Sequence, residues 1–145
     1  MKTEHRVLIS YVYPPSVVKS IAKAKDLISA DPRQHYRINK LARLAGTNEF
    51  TLKKEFKSIY NITIYQYLLE LRMQKAAWLL HTTNIKEKEI AQSCGYYNLS
   101  SFITTFKKYY HIKPGSFRNQ LQLVNLPIHN LSQSIKALPL IALTI

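Results

Sequence analysis

In this chain of 145 residues the side chains best equipped for chemistry are lysines, rather than its cysteine or its histidines. Cys94 is the single cysteine, which excludes an intrachain disulfide and a thiolate-rich zinc site. It stands beside Gly95 at an expected turn between helices, where a small buried residue is the ordinary reading, and no histidine is placed by sequence to activate it. His5, His35, His81, His111 and His129 show no metal-ligand spacing, so no metal, cofactor or catalytic residue is expected. Lys53, Lys54 and Lys57, by contrast, alternate with Phe50, Leu52, Phe56 and Ile59. A single helical segment thus carries an apolar stripe and a cationic face, an arrangement suited to holding an anion while the other side packs on a core.

The whole chain shares that bias. Lys and Arg number 21 against 8 Asp and Glu, a formal charge of +13, with a pI near 9.9. Residues 37–118 hold 14 basic and 5 acidic side chains, whereas residues 119–145 hold Lys136 alone. A polyanion is therefore the expected partner, with nucleic acid ahead of an acidic membrane; charge by itself accounts only for nonspecific attraction. No stretch reaches the 18 or so apolar residues of a membrane span, and Met1 to Tyr13 lacks a secretory signal. The expectation is a cytoplasmic protein without a membrane span.

The elements that must position the lysines read as helices joined by short turns, since the chain has three glycines and no Gly/Ser-rich linker. The fold class is expected to be all-α with seven helices: Ser16 to about Ala30, Ile38 to Ala45, Glu49 to Ile59, Ile64 to His81, Ile85 to Ser93, Leu99 to Tyr110, and a short one from Pro114 through Phe117. Gly46 is suited to stopping the second, Asn48 to capping the third and Thr63 to capping the fourth. At about 1.5 Å per residue the fourth helix spans roughly 27 Å. The expected organisation is an N-terminal extension (1–14), a first helix-turn-helix subdomain (15–64), a linker helix (64–82), a second such subdomain (83–121) and an apolar C-terminal extension (122–145).

An internal repeat supports this division. Leu41-Ala42 falls on Ile90-Ala91, Gly46 on Gly95, Leu52 and Phe56 on Phe102 and Phe106, and Tyr60-Asn61-Ile62 on Tyr110-His111-Ile112, with one inserted residue between Gly95 and Phe102. One supersecondary unit is used twice, with the long helix between the copies. Each copy has a short helix bearing an alanine for close approach, then a glycine, then a polar second helix, as a helix-turn-helix requires. In that motif the second helix enters the major groove of DNA and its exposed N-terminal side chains meet base edges.

The segment Ile38 to Arg118 resembles the DNA-binding region of the AraC/XylS family of transcription regulators. The resemblance is carried by Leu41-Ala42, Ala45-Gly46, Phe56-Lys57, Tyr67-Leu68, Leu71-Arg72, Leu79-Leu80, Ile90-Ala91, Gly95-Tyr96, Phe102, Phe106-Lys107-Lys108, Pro114 and Phe117-Arg118. Gly46-Thr47-Asn48-Glu49 and Leu71-Arg72-Met73 are similar to a PchR-like subgroup, typified by a siderophore-responsive regulator. The chain departs from the family at Asn61 and His111, where glycine is usual, and at Lys113, where a Thr or Ser cap is common. Asn and His are among the residues that tolerate the left-handed region.

The resemblance implies sequence-specific binding to double-stranded DNA by a monomer or weak dimer, with two recognition helices in successive major grooves and RNA polymerase as a further partner. By position, base reading falls to Glu49, Phe50, Lys53 and Lys54 in the first unit and to Leu99, Ser100, Ser101 and Thr104 in the second. Lysine donates to guanine, a ring packs on a thymine methyl, and short hydroxyls read permissively. Lys57, Lys107, Lys108 and Arg118 are implied phosphate contacts. Arg72 is implied to have an internal partner, while Tyr96, Trp78, Phe56 and Phe106 are expected in the core.

Two other readings compete. A related region occurs joined to a DNA-repair methyltransferase with a reactive cysteine, but the setting of Cys94 gives an enzyme little support. A helical protein-protein interaction module with nonspecific nucleic-acid affinity is the alternative, motivated by the apolar run Leu138 to Ile145.

Overall fold

The computed structural model describes residues 13–124. Most of the N-terminal extension and of the apolar C-terminal extension lies outside these residues. The described residues form seven α-helices: α1 (Pro15–Ala30), α2 (Ile38–Ala45), α3 (Glu49–Tyr60), α4 (Ile64–Thr82), α5 (Glu87–Ser93), α6 (Leu99–Tyr110) and α7 (Pro114–Val124). The class is all-α, as the apolar periodicity requires. The chain divides into two compact units between Glu70 and Leu71, a point inside α4.

In the first unit, α1 places Ile21, Ala24 and Ile28 against Leu41, Ala42 and Ala45 of α2 and Leu52, Phe56 and Ile59 of α3. Pro15 opens α1 at a position where its missing N–H costs nothing. Phe56 is fully buried and lies 4.9 Å from Tyr60 and 5.8 Å from Tyr67, centroid to centroid. Lys25 closes this aromatic corner from outside, its Nζ standing 4.4 Å above the Tyr60 ring.

In the second unit the core is a stack of rings. Phe102, Phe106 and Phe117 are buried, with Phe106 5.7 Å from Phe102 and 5.2 Å from Phe117, the latter pair nearly perpendicular at 83°. Met73, Ala76 and Leu80 of α4 and Ile90 and Ala91 of α5 complete the apolar interior of this unit. Arg72 is buried as well, its guanidinium 5.6 Å from the centroid of the Tyr96 ring, so the arginine faces inward as expected.

The caps follow the sequence closely. Thr63 and Gln66 form a reciprocal capping box at the start of α4: the Gln66 N–H donates to Thr63 Oγ1 at 3.1 Å and the Thr63 N–H to Gln66 Oε1 at 2.8 Å. The same helix ends where the Thr82 and Thr83 hydroxyls donate to the carbonyls of Trp78 and Leu79, at 2.8 and 2.7 Å.

Three details differ from the sequence reading. Trp78 is 49% exposed rather than in the core; Met73, Ala76, Ala77 and Leu80 define the inward stripe of α4, and a period of 3.6 residues carries Trp78 to the opposite side. The fifth helix begins at Glu87, not Ile85, because Lys86 is extended (φ −65°, ψ 148°) and the Ile85 carbonyl accepts from Arg118 instead. The last helix runs seven residues past Phe117 to Val124, since no Gly or Pro interrupts it there.

Replacing the interior Phe106 by Ala is expected to cost about 3–5 kcal/mol of unfolding free energy in urea titrations, through the lost packing and the void it leaves. Phe50→Ala, on an exposed side chain, is expected to change stability by about 0.5 kcal/mol or less in the same assay.

Candidate nucleic-acid interface

Each unit holds a pair of helices joined by a turn whose backbone the local sequence dictates. At the end of α2, Gly46 adopts φ 79°, the Thr47 N–H donates to the Ala42 carbonyl at 2.9 Å and the Gly46 N–H to the Arg43 carbonyl at 3.1 Å. At the end of α5, Gly95 adopts φ 83°, the Tyr96 N–H donates to the Ala91 carbonyl at 2.9 Å and the Gly95 N–H to the Gln92 carbonyl at 3.0 Å. Both are Schellman ends, in which a left-handed residue turns the chain so that two stranded carbonyls find donors.

The next helix is capped by asparagine in both units. The Thr51 N–H donates to Asn48 Oδ1 at 2.9 Å and the Ser101 N–H to Asn98 Oδ1 at 2.7 Å. Each of these helices then closes on a left-handed non-glycine residue, Asn61 at φ 59° and His111 at φ 61°. The shared backbone locates the inserted residue of the repeat. Tyr96 matches Thr47 as the donor closing the Schellman end and Asn98 matches Asn48 as the cap, so the extra residue is Tyr97.

The first exposed face lies on α3. Leu52, Phe56 and Ile59 point into the first unit, leaving Phe50, 73% exposed, with Lys53, Lys54 and Lys57 on the outer side and Glu49 half-buried. Lys53 Nζ stands 3.6 Å from Glu49 Oε2 and Lys54 Nζ 3.4 Å from Glu55 Oε1, and Lys54 also lies 6.0 Å above the Phe50 ring. The Lys53–Glu49 pair is exposed on both sides and contributes under about 1 kcal/mol, so a phosphate or a guanine edge can displace it, whereas Glu55 beneath Lys54 is only 15% exposed.

The second face lies on α6. Phe102, Phe106 and Tyr110 point inward, while Ser100, Ser101, Thr104, Lys107 and Lys108 are exposed and Leu99 is half-buried. Its first two turns carry hydroxyls and its last turn two lysines. Tyr97, 90% exposed, precedes the cap, and the matching asparagines mark it as the inserted residue.

Arg118 is placed differently from the lysines. It is half-buried, its Nη2 donates to the Ile85 carbonyl at 2.7 Å, and its buried Nε has no hydrogen-bond partner. This guanidinium braces α7 against the segment ahead of α5.

Cys94 is buried, and burial pushes its thiol up to about 11 despite the opposing influence of Lys75 and Arg72. Among the described residues no cluster of His, Cys, Asp and Glu could hold a metal ion. No described helix is long and apolar enough to cross a membrane.

The family described as "Helix-turn-helix domain" matches residues 41–120. The chain belongs to the AraC/XylS family. Over 110 residues it is 31% identical to the DNA-binding dual transcriptional regulator Rns of Escherichia coli, covering 76% of this chain and 41% of that protein. Over 102 residues it is 28% identical to the Msm operon regulatory protein of Streptococcus mutans, covering 70% of this chain and 37% of that protein. The C-terminal domain of the two-component response regulator yesN from Fusobacterium nucleatum aligns with a TM-score of 0.62 at 34% identity, covering 66% of this chain and 93% of that domain. The chain thus spans about two fifths of the length of these curated regulators and nearly all of that isolated C-terminal domain.

The state of Cys94 has a measurable consequence. A thiol raised above its unfolded value of about 9 favours the neutral form in the folded protein, so the thiol's contribution to stability is intact below pH 9 and is lost as pH rises toward 11. Urea titrations should show this loss for the native sequence and a flatter response for Cys94→Ala. Alkylation of the folded protein at pH 8 should be far slower than in urea.

Proposed function

We propose that this chain is a sequence-specific double-stranded DNA-binding transcription regulator, reading two successive major grooves with α3 and α6. The observation that carries the reading is the repeated Schellman end followed by an asparagine-capped helix, which turns one face of each second helix into a core and leaves the other open. An exposed face at the N-terminal end of such a helix is what enters a groove of matching width, about 12 Å. Net charge and family membership support nucleic acid over an acidic membrane.

In this reading Lys53 and Lys54 donate to guanine edges, Phe50 packs on a thymine methyl and Glu49 accepts from cytosine, so the first unit carries most of the discrimination. Leu99, Ser100, Ser101 and Thr104 supply the shorter and more permissive contacts of the second. Lys57, Lys107 and Lys108 hold phosphates and set register. Arg118, with its internal hydrogen bond, makes the weakest case as a phosphate ligand. The chain acts in the cytoplasm as a monomer or weak dimer, without cofactor or catalytic step, and RNA polymerase is its further partner. Gly46-Thr47-Asn48-Glu49 and Leu71-Arg72-Met73 support placing it in the PchR-like subgroup.

Selection of bound fragments by the purified protein at fixed salt, followed by titration of two variants, tests this sorting of contacts. Lys53→Ala is expected to weaken the selected site by about 1–3 kcal/mol and to change base preference in one half of it. Lys107→Ala is expected to weaken all sequences alike and to lower the slope of log K against log salt by about 1. Equal behaviour of the two variants would contradict the assignment, and failure to enrich any sequence would overturn specific DNA recognition.

A further inference from the structure

The first unit is concave beside α3, where the end of α1 and the starts of α2 and α4 come together. A cleft of about 570 Å³ opens there, lined entirely by residues of this unit. That volume lies within the range of small-molecule sites, about 300–1,000 Å³. Its apolar wall is made by Ile28, Ile38, Ile64 and Leu68, of which Ile28 is buried and the others are half-buried. The Tyr36 ring joins them, held by its hydroxyl, which donates to the Leu27 carbonyl at 2.7 Å.

The opposite wall is cationic. Lys53 and Lys57 stand there, one turn apart on the exposed side of α3. Lys53 shares its charge with Glu49, whereas the Lys57 ammonium takes part in none of the ion pairs among the described residues. No aspartate or glutamate is among the described residues that line the cleft.

The two walls together say what fits. Burying an apolar body against the isoleucines removes its surface from water, and two ammonium groups at one edge favour an anionic head. Side chains four residues apart on a helix have Cβ atoms about 5–6 Å apart, close enough for both ammonium groups to meet the two oxygens of one carboxylate. A purely polar anion gains nothing from the isoleucines, and an uncharged hydrocarbon leaves the lysines unused.

We propose that this cleft binds a small amphipathic carboxylate, its apolar body against Ile28, Ile38, Ile64 and Leu68 and its head between Lys53 and Lys57. A second consequence rests on the reading of α3 as a recognition helix, in which the same two lysines hold DNA. A bound carboxylate withholds them from the duplex, so ligand and DNA each weaken the binding of the other by the same factor.

Octanoate serves as the probe, with acetate as the head alone and 1-octanol as the body alone. Calorimetric titration of the full chain should show octanoate binding roughly tenfold more tightly than either, or better. Affinity should rise by up to about fourfold for each methylene added from hexanoate to decanoate. Amide shifts on adding octanoate should centre on Ile38, Ile64 and Leu68. Lys57→Gln should weaken octanoate roughly tenfold while circular dichroism stays native, since the side chain is exposed. Leu68→Trp, which fills the cleft, should remove binding; if that variant fails to fold, the chain-length series on the native chain decides the site. On a fragment that the native chain selects, saturating octanoate should lower DNA affinity roughly tenfold, and acetate at the same concentration should not.

Octanoate binding no more tightly than acetate or 1-octanol, or shifts centred outside the cleft, would overturn the site. Octanoate held in the cleft with DNA affinity unchanged would overturn the competition and leave the site standing. If the native chain itself selects no sequence, the reading of α3 fails, and the octanoate titration still decides the site.

Discussion

The end of a short helix leaves carbonyls that must find donors before the chain can turn into the next helix. In this protein that requirement is met twice by the same device, a glycine at φ 79° or 83° whose left-handed backbone brings two N–H groups back onto α2 or α5. Residues with a Cβ enter that region only at a cost, and the placement of the next helix depends on the direction the chain takes there. The asparagine after the turn captures an N–H of the next helix, and the alanine on the short helix, Ala42 or Ala91, is buried where a bulkier side chain would force the pair apart. Position, capping and close approach together leave α3 and α6 each with one face packed and one face free.

The two units share this frame and differ in what it presents. The α3 face offers charge and an exposed ring, with Lys53 paired to the exposed Glu49 and Lys54 to the largely buried Glu55; the α6 face offers hydroxyls near its start and lysines near its end. Packing differs too. The first unit closes over Phe56 with aliphatic residues from α1, whereas the second stacks Phe102, Phe106, Tyr110 and Phe117 in a run of edge and tilted contacts. Side chains that hold the fold together and side chains available to a ligand are thereby separated onto opposite faces of the same helices, so that substitution on one side leaves the other largely intact.

Much of this was legible in the amino-acid order because the relevant signals are local. Helical spacing of apolar residues marks α3 and α6, Gly46 and Gly95 mark turns, and Asn48 and Thr63 mark starts. The left-handed placements of Asn61 and His111 agree with the repeat, each aligning with the other. Less legible was anything decided by a partner distant in sequence. Trp78 belongs to an apolar run and yet points to solvent, because the inward stripe of α4 is set by the residues around it. Ile85 stays outside α5 since its carbonyl is taken by Arg118, 33 residues away, and the same bond turns that arginine inward. The identity of the inserted residue was hidden because the slip in the repeat spans several candidates until the backbone hydrogen bonds fix the register.

The central claim is that one small helical unit, used twice, presents two recognition helices to one duplex. Hydroxyl-radical footprinting of the native chain on a fragment it has selected tests this most directly. The account predicts two protected patches on one face of the duplex, their centres about one helical turn or 10 base pairs apart. A single patch of half that extent, or even protection along the whole fragment, would contradict it.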